Sequence, residues 1–165
     1  MNTSYTIRLF QPTDAQETSN MIADTLRIIN SKDYPPEIIE KLIDKMPPEM
    51  LCRRANEGHM YVVLDGAVII GVGCIAGFWG STTESILLTI FVHHAYQGQG
   101  IGRHIVETLE QDEYFLRAKR IEVAASITAV EFYRKFGYDY KNGIRMLEDE
   151  SFYRLDKHRT PIQTV

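Results

Sequence analysis

The sequence predicts a single α/β domain built on a mixed β-sheet, and three observations support this fold class. The chain has 165 residues, a length that fits one domain over residues 1–165. Residues 60–75 hold two β-prone runs joined by Asp65-Gly66, a pattern typical of an antiparallel hairpin. Residues 85–125 read as strand, helix and strand, which predicts a right-handed parallel crossover.

The elements before the hairpin are predicted to be one strand and two helices. Alternating apolar and polar residues predict the strand over residues 5–10. Thr13 and Gln16 have the spacing of a capping box and predict the start of the first helix. The second helix is expected between the proline pairs at 35–36 and 47–48, because proline interrupts a helix beyond its first turn.

A glycine-rich turn separates the first strand of the crossover from its helix, and a further helix follows the second strand. Thr128 and Glu131 form a second capping-box pattern that opens this last helix, and Gly137 stands where a C′ glycine would end it. The predicted ranges are 85–92 and 121–125 for the two strands of the crossover, 100–110 for its helix, and 138–156 for one or two final strands.

The charges argue against a nucleic-acid partner. The chain has 18 Lys and Arg against 22 Asp and Glu, a formal net charge of −4. Residues 1–92 carry the whole negative excess, whereas a nucleic-acid-binding protein would show a basic surplus or a basic stripe. An acidic first half favours a cationic partner.

The sequence also argues against a membrane, exported or metal-binding protein. No apolar run approaches the roughly 20 residues that span a bilayer. The first ten residues lack the basic and apolar regions of a secretory signal. Cys52 and Cys74 are far apart and lack metal-ligand spacing, so we expect reduced thiols, no metal ion and a cytoplasmic location.

The most informative segment runs from Val92 to Arg103, with the sequence VHHAYQGQGIGR. It leaves an apolar strand, passes through Gly98, Gly100 and Gly102, and opens a helix. Glycines let backbone N–H groups approach a ligand closely, and a helix N-terminus attracts anions. The segment therefore predicts a site for a phosphate or pyrophosphate group, to which Arg103 could add a positive charge.

Two common phosphate-binding motifs fit this segment poorly. It contains no Gly-Lys-Ser/Thr, which excludes the P-loop of NTPases. A dinucleotide fingerprint would need Gly in place of Arg103, and its ribose-binding acid would stand at the end of the next strand. Glu122 lies near the start of that strand, so a dinucleotide-binding protein is a remote alternative.

Two motifs resemble those of the GNAT superfamily of N-acetyltransferases. The pattern Gln97-x-x-Gly100-x-Gly102 after an apolar strand resembles the acyl-CoA-binding signature of that family. Residues 129–138, AVEFYRKFGY, resemble its A-x-x-F-Y-x-x-x-G-F motif. The order of the predicted elements also matches the family fold. The resemblance implies a GNAT-like fold and an acetyl-CoA-dependent N-acetyltransferase.

The resemblance implies where acetyl-CoA binds. The amides of the glycine-rich loop would hold the CoA pyrophosphate, and the pantetheine arm would lie between splayed strands 85–92 and 121–125. A bulge in the first of these strands would aim one N–H group at the thioester carbonyl as an oxyanion donor. The residues implied in cofactor binding are Ile90, Phe91, Val92, Gln97, Gly98, Gln99, Gly100, Ile101, Gly102, Arg103, Ser126 and Phe132.

The resemblance also implies that Tyr133 is the general acid that protonates the departing CoA thiolate. On spacing alone, Tyr133 would be a core aromatic residue on an amphipathic helix. The chain departs from the family pattern at Ser126, where Asn is common, at His94, where Pro is common, and at Tyr138, where Phe is usual.

The general base is left open by the sequence. Some family members carry Glu at the position of Ile86, and the nearest acid here is Glu84, which is either a candidate catalytic base or a solvated charge at a strand end. His93 and His94, next to the glycine-rich loop, are further candidates, and so is a water-mediated route.

Tyr34 and Trp79 are the candidate substrate-binding residues, because they lie in segments that would flank the acceptor end of the cleft in this fold. We expect a small-molecule or peptide amine as the partner, with a homodimer as a possible assembly. The alternative is a non-catalytic CoA-sensing or protein-interaction module on the same fold, favoured by Ser126 and by the lack of a carboxylate at position 86.

Overall fold

The computed structural model describes residues 4–162 and contains one seven-stranded sheet with helices on both faces. In chain order the elements are β1 (Thr6–Leu9), α1 (Ala15–Ile28), α2 (Pro36–Asp44), α3 (Pro48–Glu57), β2 (Gly58–Asp65), β3 (Val68–Gly77), β4 (Glu84–Val92), α4 (Ile101–Leu109), α5 (Glu113–Leu116), β5 (Arg120–Ser126), α6 (Val130–Arg134), β6 (Asp139–Tyr140) and β7 (Phe152–His158). The strand order is β1-β2-β3-β4-β5-β7-β6, and β4 with β5 is the parallel pair. The predicted mixed α/β sheet, hairpin and parallel crossover are therefore confirmed.

Two hydrophobic cores lie on opposite faces of the sheet. One core fills the space between the sheet and α1, α2 and α3, and the other fills the space between the sheet and α4, α5 and α6. Neighbouring residues of β2 show the alternation, because Val62 belongs to the first core and Val63 to the second, and both are fully buried. None of the helices within residues 4–162 has the length and apolar character needed to cross a bilayer.

Helix α3 was not predicted by the sequence analysis. The proline pair at 47–48 does end α2, but Pro48 is also the first residue of α3. Proline is favoured at the first helical position, where its missing N–H would have no helical partner and its fixed φ suits the helix. The helix covers β2 and β3 and brings Arg54 over the sheet.

Neither predicted capping box forms. Helix α1 begins at Ala15, after a short turn in which the Asp14 carboxylate accepts the Gln11 N–H at 2.8 Å. The Thr128 hydroxyl donates to the Asp33 carboxylate at 2.7 Å, so it holds a distant loop instead of capping α6. In both places a different polar partner replaces the local bond that the pattern indicates.

One of the two turn predictions is off by one residue, and the other is confirmed. In the β2–β3 hairpin, Asp65 pairs with Val68, so the turn residues are Gly66 and Ala67, one position later than predicted. After α6, the Gly137 N–H donates to the Arg134 carbonyl at 3.1 Å and the next N–H donates to the Tyr133 carbonyl. These two bonds form the Schellman motif, which confirms Gly137 as the C′ residue.

The Tyr138 hydroxyl is buried and has no hydrogen-bond partner within residues 4–162. An unpaired buried hydroxyl opposes folding because it loses its bonds with water. We expect Tyr138→Phe to raise the free energy of unfolding by about 1 kcal/mol in urea denaturation. Tyr34→Phe is the matched control, since the Tyr34 hydroxyl is paired, and it should lower the stability. A loss of stability in Tyr138→Phe would contradict this account.

Candidate functional site

Strands β4 and β5 separate at their carboxyl ends. They pair in parallel from Glu84 with Arg120 to Leu87 with Val123, and no pairing follows. Strand β4 nevertheless continues for five residues beyond Leu87, and β5 continues for three residues beyond Val123. Unpaired backbone groups therefore border a wedge-shaped opening between the two strands, and the splay implied by the resemblance is present.

A β-bulge interrupts β4 where this opening starts. Two residues of β4, Thr89 and Ile90, lie opposite the single residue Gly73 of β3. Thr89 has a φ of 55°, which is the left-handed region and unusual for a β-branched residue. Such bulges bend a strand and redirect its backbone groups next to active sites.

The backbone groups of Ile90 and Val92 face the opening. The His93 N–H donates to the Ile70 carbonyl of β3 at 2.8 Å, and successive residues of a strand direct these groups to alternate sides. Val92, and with it Ile90, therefore faces away from β3. In agreement, the Val92 carbonyl accepts a hydrogen bond from the Gln97 side-chain amide at 2.7 Å.

The glycine-rich loop ends in an exposed helix N-terminus. Gly98 and Gly100 have φ values of 74° and 81°, and a Cβ atom at either position would meet nothing within 4 Å. The first hydrogen bond of α4 runs from the His104 N–H to the Gly100 carbonyl, at 3.0 Å. The N–H groups of residues 101–103 consequently have no partner inside the helix and form a site suited to an anion.

The two sequence motifs pack directly against each other. A Cβ atom on Gly102 would lie 3.3 Å from the ring of Phe132, so the glycine allows α6 to approach the first turn of α4. The Arg103 guanidinium lies 5.9 Å from the centre of the Phe136 ring and is exposed. On the other side of the loop, Gln99 accepts a hydrogen bond from the Tyr5 hydroxyl at 2.7 Å.

Tyr133 is a residue of α6 whose side chain lies in the core and is only 5% exposed. Its hydroxyl makes no hydrogen bond with the residues that the structure describes. Burial raises the pKa of this phenol well above its usual value, so the group is neutral at physiological pH. A neutral phenol retains its proton and can act as a donor.

Tyr34 and Ser126 lie at the open end of β5. The Tyr34 hydroxyl donates to the Ser151 carbonyl and accepts the Ile127 N–H at 2.8 Å. Together with the bond from Thr128 to Asp33, these contacts fix the loop between α1 and α2 to the segment that follows β5. Tyr34 is buried, so its observed contacts are structural, next to the opening.

Trp79 and Glu84, two residues that the sequence analysis named as candidates for the site, lie away from the opening. Trp79 is 92% exposed in the β3–β4 connection, at the end of the sheet where β4 is still paired. Glu84 begins β4, about 17 Å along the strand from Thr89, and its carboxylate accepts a hydrogen bond from Arg120 at 2.9 Å. The structure therefore argues against Trp79 as a wall of this opening and against Glu84 as its base.

A buried ion cluster lies on the same face of the sheet as α1, α2 and α3. Glu122 is 1% exposed and accepts hydrogen bonds from Arg120, Lys141 and Arg154 at 2.8 to 2.9 Å. Burial alone would raise the pKa of Glu122, but these three cations outweigh it and lower the pKa. With its carboxylate already paired, Glu122 is not available to a ribose, which argues against dinucleotide binding.

A groove of about 240 Å³ borders this ion cluster on the β6–β7 side. Its lining consists of Lys141, Asn142, Ile144, Met146, Glu148 and Arg154. Sequence reasoning did not predict the groove or the cluster, because their members come from separate segments that carry no shared motif. Within residues 4–162 no group of three or more His, Cys, Asp or Glu side chains is arranged to hold a metal ion.

The comparisons with known proteins agree with this geometry. The family model for the acetyltransferase (GNAT) domain matches residues 56–140. The PaiA N-acetyltransferase of Thermoplasma acidophilum, solved with coenzyme A, superposes with a TM-score of 0.76 at 17% identity, covering 94% of this chain and 99% of its own. An N-acetyltransferase from Rhodopseudomonas palustris also gives 0.76, at 22% identity, covering 96% and 99%.

A GNAT acetyltransferase from Staphylococcus aureus gives a TM-score of 0.72 at 14% identity and covers 94% of this chain and 99% of its own. No curated protein matches the sequence at a significant level. At these identities the structural neighbours establish the fold, while the family model spans more than half of the chain, from the start of the hairpin through both motifs. The chain therefore belongs to the GNAT acetyltransferase family.

Proposed function

We propose that the protein transfers the acetyl group of acetyl-CoA directly to a primary amine, with Tyr133 as the general acid. One arrangement carries this proposal. The opening between β4 and β5 has a helix N-terminus suited to an anion at its outer end and a bulge at its inner end. Tyr133 belongs to α6, which follows β5 after one short turn.

The residues of the opening fit coenzyme A. A pyrophosphate needs several N–H donors that it can approach closely, and residues 101–103 offer them beside glycines whose missing side chains leave open space. A pantetheine arm carries amide groups, which match the backbone groups of Ile90 and the Val92 N–H that face the opening; the Val92 carbonyl already accepts bonds from Gln97 and Thr25. We therefore retain the cofactor-binding residues expected from the sequence, with Phe132 as a packing partner of Gly102.

When bound, acetyl-CoA supplies an activated thioester. The N–H of Ile90 would stabilise the negative charge that develops on the thioester oxygen, because it is fixed by the bulge and faces the opening. Tyr133 would donate its proton to the departing sulfur as the bond to the acetyl carbon breaks. The buried position of Tyr133 supports this role, since it keeps the phenol protonated until that step.

We propose that the amine loses its proton through water rather than to Glu84, which is paired with Arg120 far from the bulge. The acceptor would approach from the face that carries Glu122 and the groove beside β6 and β7. That face is uncovered at Ala124, which is exposed on β5 next to the opening. At about 240 Å³ the groove is below the roughly 300 to 1,000 Å³ of pockets for drug-sized ligands, so it would hold only a small amine.

The test is an acceptor screen with acetyl-CoA in which the release of free CoA thiol is measured. The amines should include free amino acids, polyamines, aminoglycosides and peptides with free N-termini. We expect thiol release that depends on the added amine, with the acetylated amine confirmed by mass spectrometry. Binding of acetyl-CoA without amine-dependent release across the whole panel would instead support a non-catalytic CoA-sensing module.

The cofactor site yields a prediction at Gly100. A side chain there would enter the open space before the N-terminus of α4 and would strain a backbone with a φ of 81°. We expect Gly100→Ala to weaken acetyl-CoA binding about tenfold in isothermal titration calorimetry, since tenfold is a loss of about 1.4 kcal/mol. Gly80→Ala is the matched control, because Gly80 has a φ of 77° and equally open surroundings in the β3–β4 connection. Equal affinity losses in the two variants would contradict the assignment of the loop.

A further inference from the structure

Arg54 on α3 reaches the bulge in β4. Its Nη1 donates to the Thr89 hydroxyl at 2.5 Å, and within residues 4–162 it forms no ion pair with a carboxylate. The side chain is half-buried, and burial lowers the pKa of its guanidinium. Burying a guanidinium without an opposite charge costs free energy. Ion pairing therefore does not explain why Arg54 lies against Thr89.

Thr89 is the most strained residue of the strand. It is 7% exposed and has a φ of 55°, a conformation that is a genuine outlier for a β-branched side chain. Strained backbone persists only where the surrounding structure holds it, and it concentrates at functional sites. Among residues 4–162, Arg54 is the hydrogen-bond partner of the Thr89 side chain, so this contact is the candidate for the restraint.

The side-chain alternation along β4 shows what this conformation achieves. Leu88 packs into the core of α1, α2 and α3, and Thr89 reaches α3 on that same face. Ile90 then packs into the opposite core and Phe91 into the first core again. Because two consecutive side chains lie on one face, every later side chain of β4 lies on the opposite face from the one that regular alternation would give. The backbone groups of these residues change sides in the same way, which decides which of them face the opening.

We propose that Arg54 is a positioning residue that holds Thr89 in the left-handed conformation and so fixes the Ile90 N–H in the opening between β4 and β5. This inference rests on the proposed function, in which that N–H receives the charge of the thioester oxygen. Arg54 acts through Thr89 and touches no reacting atom. Its contribution therefore depends on residue 89 being one that resists a positive φ.

This dependence gives a rescue experiment. Arg54→Met keeps an unbranched side chain of similar length but removes the donor, and we expect kcat to fall about tenfold with KM for acetyl-CoA unchanged. Thr89→Gly should retain activity within about threefold, because glycine adopts a positive φ without a restraint. In the double variant, kcat should equal that of Thr89→Gly. A double variant as impaired as Arg54→Met would overturn the proposal and assign Arg54 a direct role with substrate.

A structural measurement separates this inference from the proposed function. The three-bond HN–Hα coupling and the carbon chemical shifts of residue 89 distinguish left-handed from extended backbone in solution. We expect Arg54→Met to shift both toward extended values in the protein without ligand, and Arg54→Lys, which keeps a donor, to shift them less. Wild-type values for Thr89 in Arg54→Met would overturn the inference, even if no acceptor amine is found. If Arg54→Met fails to fold, Arg54→Lys and Arg54→Gln carry the same measurement.

Discussion

Tyr133→Phe is expected to lower kcat by about 10²- to 10⁴-fold, the usual contribution of a general acid. The substitution removes only the phenolic hydroxyl, and the ring keeps its edge-to-face contacts with Phe132 and Tyr138. Because the hydroxyl bonds to none of the described residues, its loss should leave the fold and the dissociation constant of acetyl-CoA nearly unchanged. Steady-state kinetics with a working acceptor, together with calorimetry, measure both quantities.

Tyr138→Phe is the matched control for this experiment. Tyr138 is also buried, its ring centre lies 6.1 Å from that of Tyr133, and its hydroxyl also lacks a partner within residues 4–162. We expect this variant to retain wild-type kcat. Unchanged turnover in Tyr133→Phe across several working acceptors would contradict the assignment of Tyr133 as the general acid. An equal loss in both variants would point to a general disturbance of the core instead.

Arg120→Met is expected to lower the free energy of unfolding by about 3 kcal/mol at pH 7, within the range for breaking a buried ion pair. Arg120 donates to three carboxylates, those of Glu84, Glu122 and Asp156, and its side chain is 10% exposed. Without it, Lys141 and Arg154 alone would balance the buried Glu122. Urea denaturation at pH 7 measures the change.

Arg27→Met controls for the loss of an arginine as such. Arg27 makes two hydrogen bonds to one carboxylate, that of Glu40, and both side chains are about half exposed. An exposed pair of this kind contributes little to stability, because water and salt screen its charges. Equal destabilisation by the two substitutions would show that the buried cluster contributes no more than a surface pair.

The same cluster predicts an acid-side pH dependence. The pKa of Glu122 is lowered in the folded protein, so its stabilising contribution is fully present above the unfolded value of about 4.3 and is lost as the pH falls through the folded value. The pKa of Arg120 is raised, so Arg120 stays charged and adds no pH dependence to the free energy of unfolding below pH 10. The stability difference between wild type and Arg120→Met should therefore be constant from pH 6 to 8 and shrink below about pH 4.

Local patterns in the sequence predicted the elements that build the proposed cofactor site. The apolar run of β4, the glycines that follow it and the helix after them are contiguous, and each has a direct physical signature. Helix α3 was missed because a proline pair is compatible with both a helix end and a helix start. The second capping box failed because Thr128 donates to Asp33, and the first failed because Asp14, bonded to the Gln11 N–H, precedes a helix that begins only at Ala15.

The remaining features depend on contacts between distant segments. Arg54 and Thr89 are 35 residues apart, and Glu122 meets Arg154 across 32 residues. Glu84 and Trp79 were assigned to the site from their place in the chain, but the strand length between Glu84 and the bulge carries both away from it. Spacing along the chain cannot show such separations until the strand register is known.

The splay places unpaired backbone groups of β4 in the interior of the sheet. A strand with free N–H and C=O groups at the rim of a sheet invites pairing with other chains and so promotes aggregation. The free side of β4 instead lies inside the sheet, between β3 and β5, because β4 and β5 remain paired from Glu84 to Leu87. The backbone groups proposed to bind acetyl-CoA thus lie within the sheet and not at its rim, where a strand of another molecule could pair with them.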